Sequence, residues 1–214
     1  GHDIGIRGIY IDGNGDKAGY APELGPSTQY RGCNVLIRFV DGVFVDDLHS
    51  EFAPNDCLYI TRCRRQWVQN CELHRNRLPG FTGRRADSTR NLLTCAGTLG
   101  WRPEFGDRSD YFVIQNIQAE DSEDLGVCIQ FIQEPGVQAV ISGPVIIRDI
   151  TTRRSATYGT AIEISGTGAN QNERDCVIIS GITSIGDSWL APLASILISQ
   201  SSISVIASDL IIKD

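Results

Sequence analysis

Residues 34–51 read NVLIRFVDGVFVDDLHSE, and residues 57–74, a step of 23 further on, read CLYITRCRRQWVQNCELH. Laid over one another, Val35 falls on Leu58, Ile37 on Ile60, Val45 on Val68 and Leu48 on Cys71. The polar positions match too: Asp41 meets Arg64, His49 meets Glu72 and Glu51 meets His74. Parallel strands stack about 4.8 Å apart, so residues one repeat apart become neighbours, and complementary partners are favoured there. A wrong register would not satisfy the apolar and the charged positions together.

Within these stretches recurs a short phrase: apolar, polar, then Asn, Asp or Gly, then apolar. It occurs as Ile6-Arg7-Gly8-Ile9, Val45-Asp46-Asp47-Leu48, Val68-Gln69-Asn70-Cys71 and Ile114-Gln115-Asn116-Ile117. It returns as Ile147-Arg148-Asp149-Ile150, Ile179-Ser180-Gly181-Ile182 and Ala207-Ser208-Asp209-Leu210. The intervals are 39, 23, 46, 33, 32 and 28 residues. Helical periodicity is nearly absent, and a solenoid keeps its strands in step while placing insertions in loops on one side. The third position always carries a residue that tolerates the left-handed backbone region, as a sharp bend between two strands of one coil requires. A second strand family (34–39, 57–61, 126–132, 160–165 and 195–199) precedes the phrase. The pattern therefore predicts an all-β parallel β-helix of about seven coils. Its long insertion spans residues 73–110, and the 46-residue interval, twice 23, has room to hold one of these coils.

Length and composition set the bounds. The 214 residues suit one domain, 1–214, and 41% hydrophobic residues suit a folded one. No apolar run approaches a membrane span, so no membrane partner is expected. The net charge of −7 argues against nonspecific nucleic-acid binding. It hides an asymmetry: two Lys stand against 17 Arg, and ten of those Arg fall between Arg62 and Arg108. The seven Cys include no CxxC pair, and most sit beside apolar residues, so they read as core thiols rather than zinc ligands or a disulfide framework.

The runs NVLIRFVDGVFVDD and NDCLYITRCRRQWVQNCEL, with IRGIYIDGNG at residues 6–15, resemble the pectin-lyase-like β-helix superfamily. That group includes pectate lyases, polygalacturonases, polysaccharide epimerases and phage tailspike depolymerases. The resemblance implies a right-handed, single-stranded solenoid whose ligand lies along a solvent-facing sheet flanked by long loops. It implies no particular reaction. The polygalacturonase pattern is echoed only by Asp46-Asp47, pectate-lyase calcium spacing is absent, and so is the Asp-Pro-His-Glu run of epimerases.

Two groups of residues are the candidates for chemistry. Arg62, Arg64, Arg75, Arg77, Arg84, Arg85, Trp101 and Arg102 would bind ligand: guanidinium forks suit carboxylates, sulfates and phosphates, and aromatic faces suit sugars. Glu51, His74, His49, Glu72 and Asp46 crowd two successive coils and are the catalytic candidates. A glycoside hydrolase needs two carboxylates about 5 to 9.5 Å apart, and neighbouring coils reach the lower end of that range. The bland alternatives are a solvated loop and register-setting ion pairs. No cofactor and no metal are expected. The run Asp12-Gly13-Asn14-Gly15-Asp16 begins like a calcium loop but has Lys17 at the sixth position and no Glu at the twelfth. With no cap evident at either end and no Met, the chain is expected to be a segment of a longer protein or to be covered by partner subunits. The expected function is glycan recognition by a phage tailspike, tail fibre or other extracellular or virion-surface protein, with or without depolymerase activity. A homotrimer is expected by analogy with tailspikes. A stand-alone polysaccharide lyase or glycoside hydrolase is the first alternative, and a ligand-free structural fibre module the second.

Overall fold

Every copy of the phrase lies in a long strand. The computed structural model describes residues 3–13, 33–53, 56–61, 63–75, 93–96, 108–109, 111–122, 125–131, 140–141, 144–156, 158–165, 177–187, 195–201 and 205–213. Numbered in chain order, the strands are β1 (Asp3–Asp12), β2 (Val35–Arg38), β3 (Gly42–Glu51), β4 (Leu58–Thr61) and β5 (Arg65–His74). Then come β6 (Leu93–Ala96), β7 (Arg108–Ser109), β8 (Tyr111–Glu120), β9 (Val127–Phe131) and β10 (Val140–Ile141). The chain continues with β11 (Val145–Arg153), β12 (Thr160–Ser165), β13 (Val177–Ile185), β14 (Ile196–Ser201) and β15 (Val205–Lys213). No helix occurs among the described residues.

The long strands form one seven-stranded sheet, β1-β3-β5-β8-β11-β13-β15. The shorter ones form a second of six, β2-β4-β6-β9-β12-β14, and β7 pairs with β10. The register agrees with the 23-residue shift: Val35 pairs with Leu58, Val45 with Val68, His49 with Glu72 and Glu51 with His74. The 46-residue interval differs from expectation. β5 pairs directly with β8, Gln69 lying beside Gln115, so the interval adds no strand to the long sheet. What it does hold is β6, which lies between β4 and β9 in the six-stranded sheet. The insertion also begins later than residue 73, since Leu73 and His74 close β5.

The phrase works as the sequence requires. Gly8, Asp47, Asn70, Asn116, Asp149, Gly181 and Asp209 all have φ between 52° and 64°. One such residue resets the alternation of the strand: in β5, Gln66 and Val68 point inward, Gln69 and Asn70 both face out, and Cys71 and Leu73 point inward again. Each long strand thus has two arms, each with its own outward face. Asn116 Nδ2 donates to Asn70 Oδ1 (2.8 Å), and Asn70 Nδ2 donates to Asp46 Oδ1 (2.8 Å), tying three successive bends. A second left-handed column ends the strands at Phe52, Arg75, Asp121, Arg154 and Gly186. Each of these N–H groups still donates to a carbonyl of the next strand, at 2.8–3.2 Å, which offsets the strain.

The core is built of files running across the strands. Val45, Val68, Ile114, Ile147 and Ile179 form one file before the bend; Leu48, Cys71, Ile117, Ile150 and Ile182 form one after it. Leu58, Ile60, Val127, Ile129 and Ile162 face them from the shorter strands, and all are buried. Cys57, Cys63, Cys71 and Cys128 are buried free thiols. Burial pushes Cys57 and Cys71 up to about 12 and Cys63 up to about 11.

Candidate functional site

On the first arm, the outward positions of β3, β5 and β8 carry aromatic rings. Phe44 and Trp67 are paired across strands with ring centroids 6.1 Å apart, edge to face. Trp67 and Tyr111 follow at 5.8 Å, tilted by 39°. Phe44 and Trp67 each keep 37% of their surface exposed, and they form one contiguous aromatic patch with Tyr111. A groove of about 520 Å³ runs over these rings and includes Ile4 and Arg65. Arg65 forms one wall, bonding Asp3 at 2.9 Å and Asp41 at 2.7 Å.

The next outward file is a polar ladder over five strands. Arg7 approaches Asp46 at 3.3 Å, and Gln69 Nε2 donates to Asp46 at 3.2 Å. Gln115 Nε2 donates to Gln69 Oε1 at 2.8 Å, and Arg148 Nε donates to Gln115 Oε1 at 2.9 Å. The Trp67 indole N–H also donates to Gln69 Oε1, at 2.7 Å, which fixes the ring. Donation from Asn70 above all, with help from Gln69 and Arg7, holds the Asp46 carboxyl below the usual carboxylate range despite its burial. Asp46 is therefore an engaged, ionised acceptor. Apolar faces beside amide, carboxylate and guanidinium groups can stack on the C–H faces of sugar rings while bonding their hydroxyl edges.

On the second arm, two outward files cross β3 and β5 as a square of His49, Glu72, Glu51 and His74. Residues two apart on a strand share a face, and residues opposite on adjacent strands touch. His49 Nδ1 lies 3.2 Å from Glu72 Oε2. His74 Nδ1 lies 3.6 Å from Glu120 Oε2 on β8. The two imidazole centroids are 5.4 Å apart. The Tyr10 ring sits 4.9 Å from that of His49, and its hydroxyl donates to Glu51, a bond that raises the phenol pKa. Arg154 bonds both Glu120 and Asp121, and Asp121 is the main cause raising its already high pKa.

Of the sequence candidates, His49 and Glu72 are in contact, while Glu51 and His74 are register partners whose carboxylate and imidazole engage Tyr10 and Glu120. Asp46 lies on the other arm, across the bend. Arg64 lies 3.9 Å from Asp41. Arg75, at the end of β5, reaches Asp121 at 4.0 Å and covers the Phe52 ring. Arg62, Arg77, Arg84, Arg85, Trp101 and Arg102 lie outside the described residues. So do residues 14–16 of the calcium-like run. Gly13 is needed for close packing, since a Cβ there would fall 2.1 Å from Asn34 Oδ1. The aromatic cluster is not among the sequence candidates, although the 23-residue shift also lays Phe44 over Trp67. No family model, curated protein or solved structure matches the chain.

Proposed function

We propose that the chain is a right-handed parallel β-helix of about seven coils, of the pectin-lyase-like type, and that it recognises a glycan along its long sheet. The solenoid reading is supported by the alternation of the two sheets. A chain that adds to each sheet in turn, always in parallel, must return to the same side between additions. The observation that carries glycan recognition is the exposed cross-strand pair Phe44–Trp67, with the Tyr111 ring beside Trp67, in a groove flanked by Arg65 and the amide ladder. Arg65 is paired with Asp3 and Asp41 and Arg7 with Asp46, so what these side chains offer a glycan is hydrogen bonding to its hydroxyl edges rather than net positive charge. A tailspike, tail fibre or other extracellular surface protein is the setting that suits such a module.

The test is a glycan array including uronic-acid, sulfated and capsular polysaccharides, repeated with Trp67→Ala. The exposed part of Trp67 is on the order of 90 Å² for a side chain of this size. Covering it contributes up to about 2 kcal/mol, or roughly 30-fold in affinity. Binding that survives Trp67→Ala unchanged, or no binding to any glycan, overturns the reading and favours a structural fibre module. A second reading, depolymerisation, is favoured by the His49–Glu72 contact, which can hold a proton donor and acceptor together. Shortened products that vanish with Glu72→Gln would establish it.

A further inference from the structure

We propose that His49, Glu72 and His74 form a binding site for a divalent first-row transition metal, with zinc as the probe ion. The three side chains offer one donor atom each, and these atoms lie within 4.8 Å of one another on the second arm of β3 and β5. Neighbouring donors around a tetrahedral zinc ion with bonds of about 2.0–2.1 Å stand roughly 3.3 Å apart. His49 Nδ1 and Glu72 Oε2 already stand at 3.2 Å. The third donor has to close by about 1.5 Å to reach that tetrahedral spacing, within reach of a small side-chain rotation at a partly exposed imidazole. The backbone needs no movement, because the three residues sit on two hydrogen-bonded strands whose positions the core fixes.

The surroundings suit a metal ligand set. With His74 Nδ1 turned to Glu120, Nε2 is the nitrogen left for the ion, and Glu120 becomes the carboxylate that orients the ring. Arg154 bonds Glu120 in turn and holds it in place. Two imidazole nitrogens and one carboxylate oxygen form a borderline donor set that selects zinc, nickel or copper over calcium or magnesium. Three protein donors on an exposed face leave a fourth position for water or a ligand oxygen. The buried thiols of Cys57, Cys63 and Cys71 do not compete in the folded chain, since burial keeps them protonated. This site does not depend on glycan recognition, which uses the other arm.

The experiment is calorimetric titration of the intact chain with Zn²⁺, with Ca²⁺ as control, for the native protein and for His49→Ala, His74→Ala and Glu120→Gln. One site per chain is expected, weakened by roughly 100-fold in each His variant and about tenfold in Glu120→Gln, as expected for a lost ligand and a lost orienting carboxylate. Circular dichroism checks that each variant keeps its sheet. The native chain loaded with Co²⁺ gives a readout that no variant can confuse: intense tetrahedral d–d bands without thiolate charge transfer are expected. No saturable Zn²⁺ binding, binding unchanged in both His variants, or a thiolate–cobalt spectrum overturns the proposal.

Discussion

Asn116→Ala tests the bend on which both outward faces depend. Asn116 holds φ 52° at the centre of β8, and its amide donates to Asn70 Oδ1 at 2.8 Å. Left-handed backbone costs an ordinary L-residue about 1–2 kcal/mol, and Asn escapes part of that because its short amide bonds locally. Alanine has no such compensation and also forfeits the bond to Asn70, worth about 0.5–1.5 kcal/mol. Together these give a destabilisation of roughly 2 kcal/mol, or about 4–8 °C in Tm for a chain of this size. Asn116→Gly loses the same bond but not the backbone compatibility, so it should cost only about 1 kcal/mol. Asn70→Ala should be worse than either, because Asn70 both accepts from Asn116 and donates to Asp46. Urea unfolding followed by far-UV circular dichroism ranks the three variants. The reasoning is refuted if the alanine variant at 116 is as stable as the glycine variant, because a left-handed bend demands that glycine be the milder change.

Two further outcomes follow from the ionisation states. The Asp46 carboxyl is held below its ordinary value of 3.8, so the stability it contributes is present above about pH 4 and lost as pH falls through the folded-state value. Asp46→Asn should therefore lie below the native protein in stability at pH 7 and converge on it in acid; a gap that stays constant from pH 7 to pH 3 would contradict this. The raised thiols predict that Cys57, Cys63 and Cys71 resist iodoacetamide at pH 8 in the folded chain and are labelled only in urea, while the half-buried Cys33 is labelled ahead of these three. Peptide mass spectrometry reads the order, and early labelling of Cys71 would mean the core file between Leu48 and Ile117 is open.

What was legible in the sequence is what the backbone imposes. A bend at φ near 55° admits few residue types, so Gly8, Asp47, Asn70, Asn116, Asp149, Gly181 and Asp209 announce themselves. The second left-handed column does not, because Phe52, Arg75 and Arg154 carry no such signature; hydrogen bonds to the next strand hold them there, and no local preference reports those bonds. Arithmetic on the intervals misled for a related reason. Twice 23 points to a hidden coil within the interval, but Leu93–Ala96 joins only the short sheet while β5 pairs directly with β8, so length alone does not say to which sheet a segment adds. The His49–Glu72 contact was readable because cross-strand pairs follow register. The aromatic cluster is not, because the repeat phrase marks only bends and inward positions, whereas Phe44 and Trp67 occupy outward positions of the alternation.

That outward placement separates a site from a scaffold. The fold needs its inward files and its bends, and it leaves the outward positions to other demands. On β13 those positions hold Ile178, Ser180, Thr183 and Ile185, the β-branched and small residues that suit any exposed strand. On β3 and β5 the equivalent positions hold Phe44, Asp46, His49 and Glu51, then Trp67, Gln69, Glu72 and His74. A ring exposed to 37% forgoes burial that Val or Thr would not miss, and two imidazoles lie 5.4 Å apart with carboxylates beside them. Aromatic and ionisable side chains at matching positions on adjacent strands, on both arms at once, are what the proposed ligands on these faces would use, whereas β13 offers only Ile178, Ser180, Thr183 and Ile185 there.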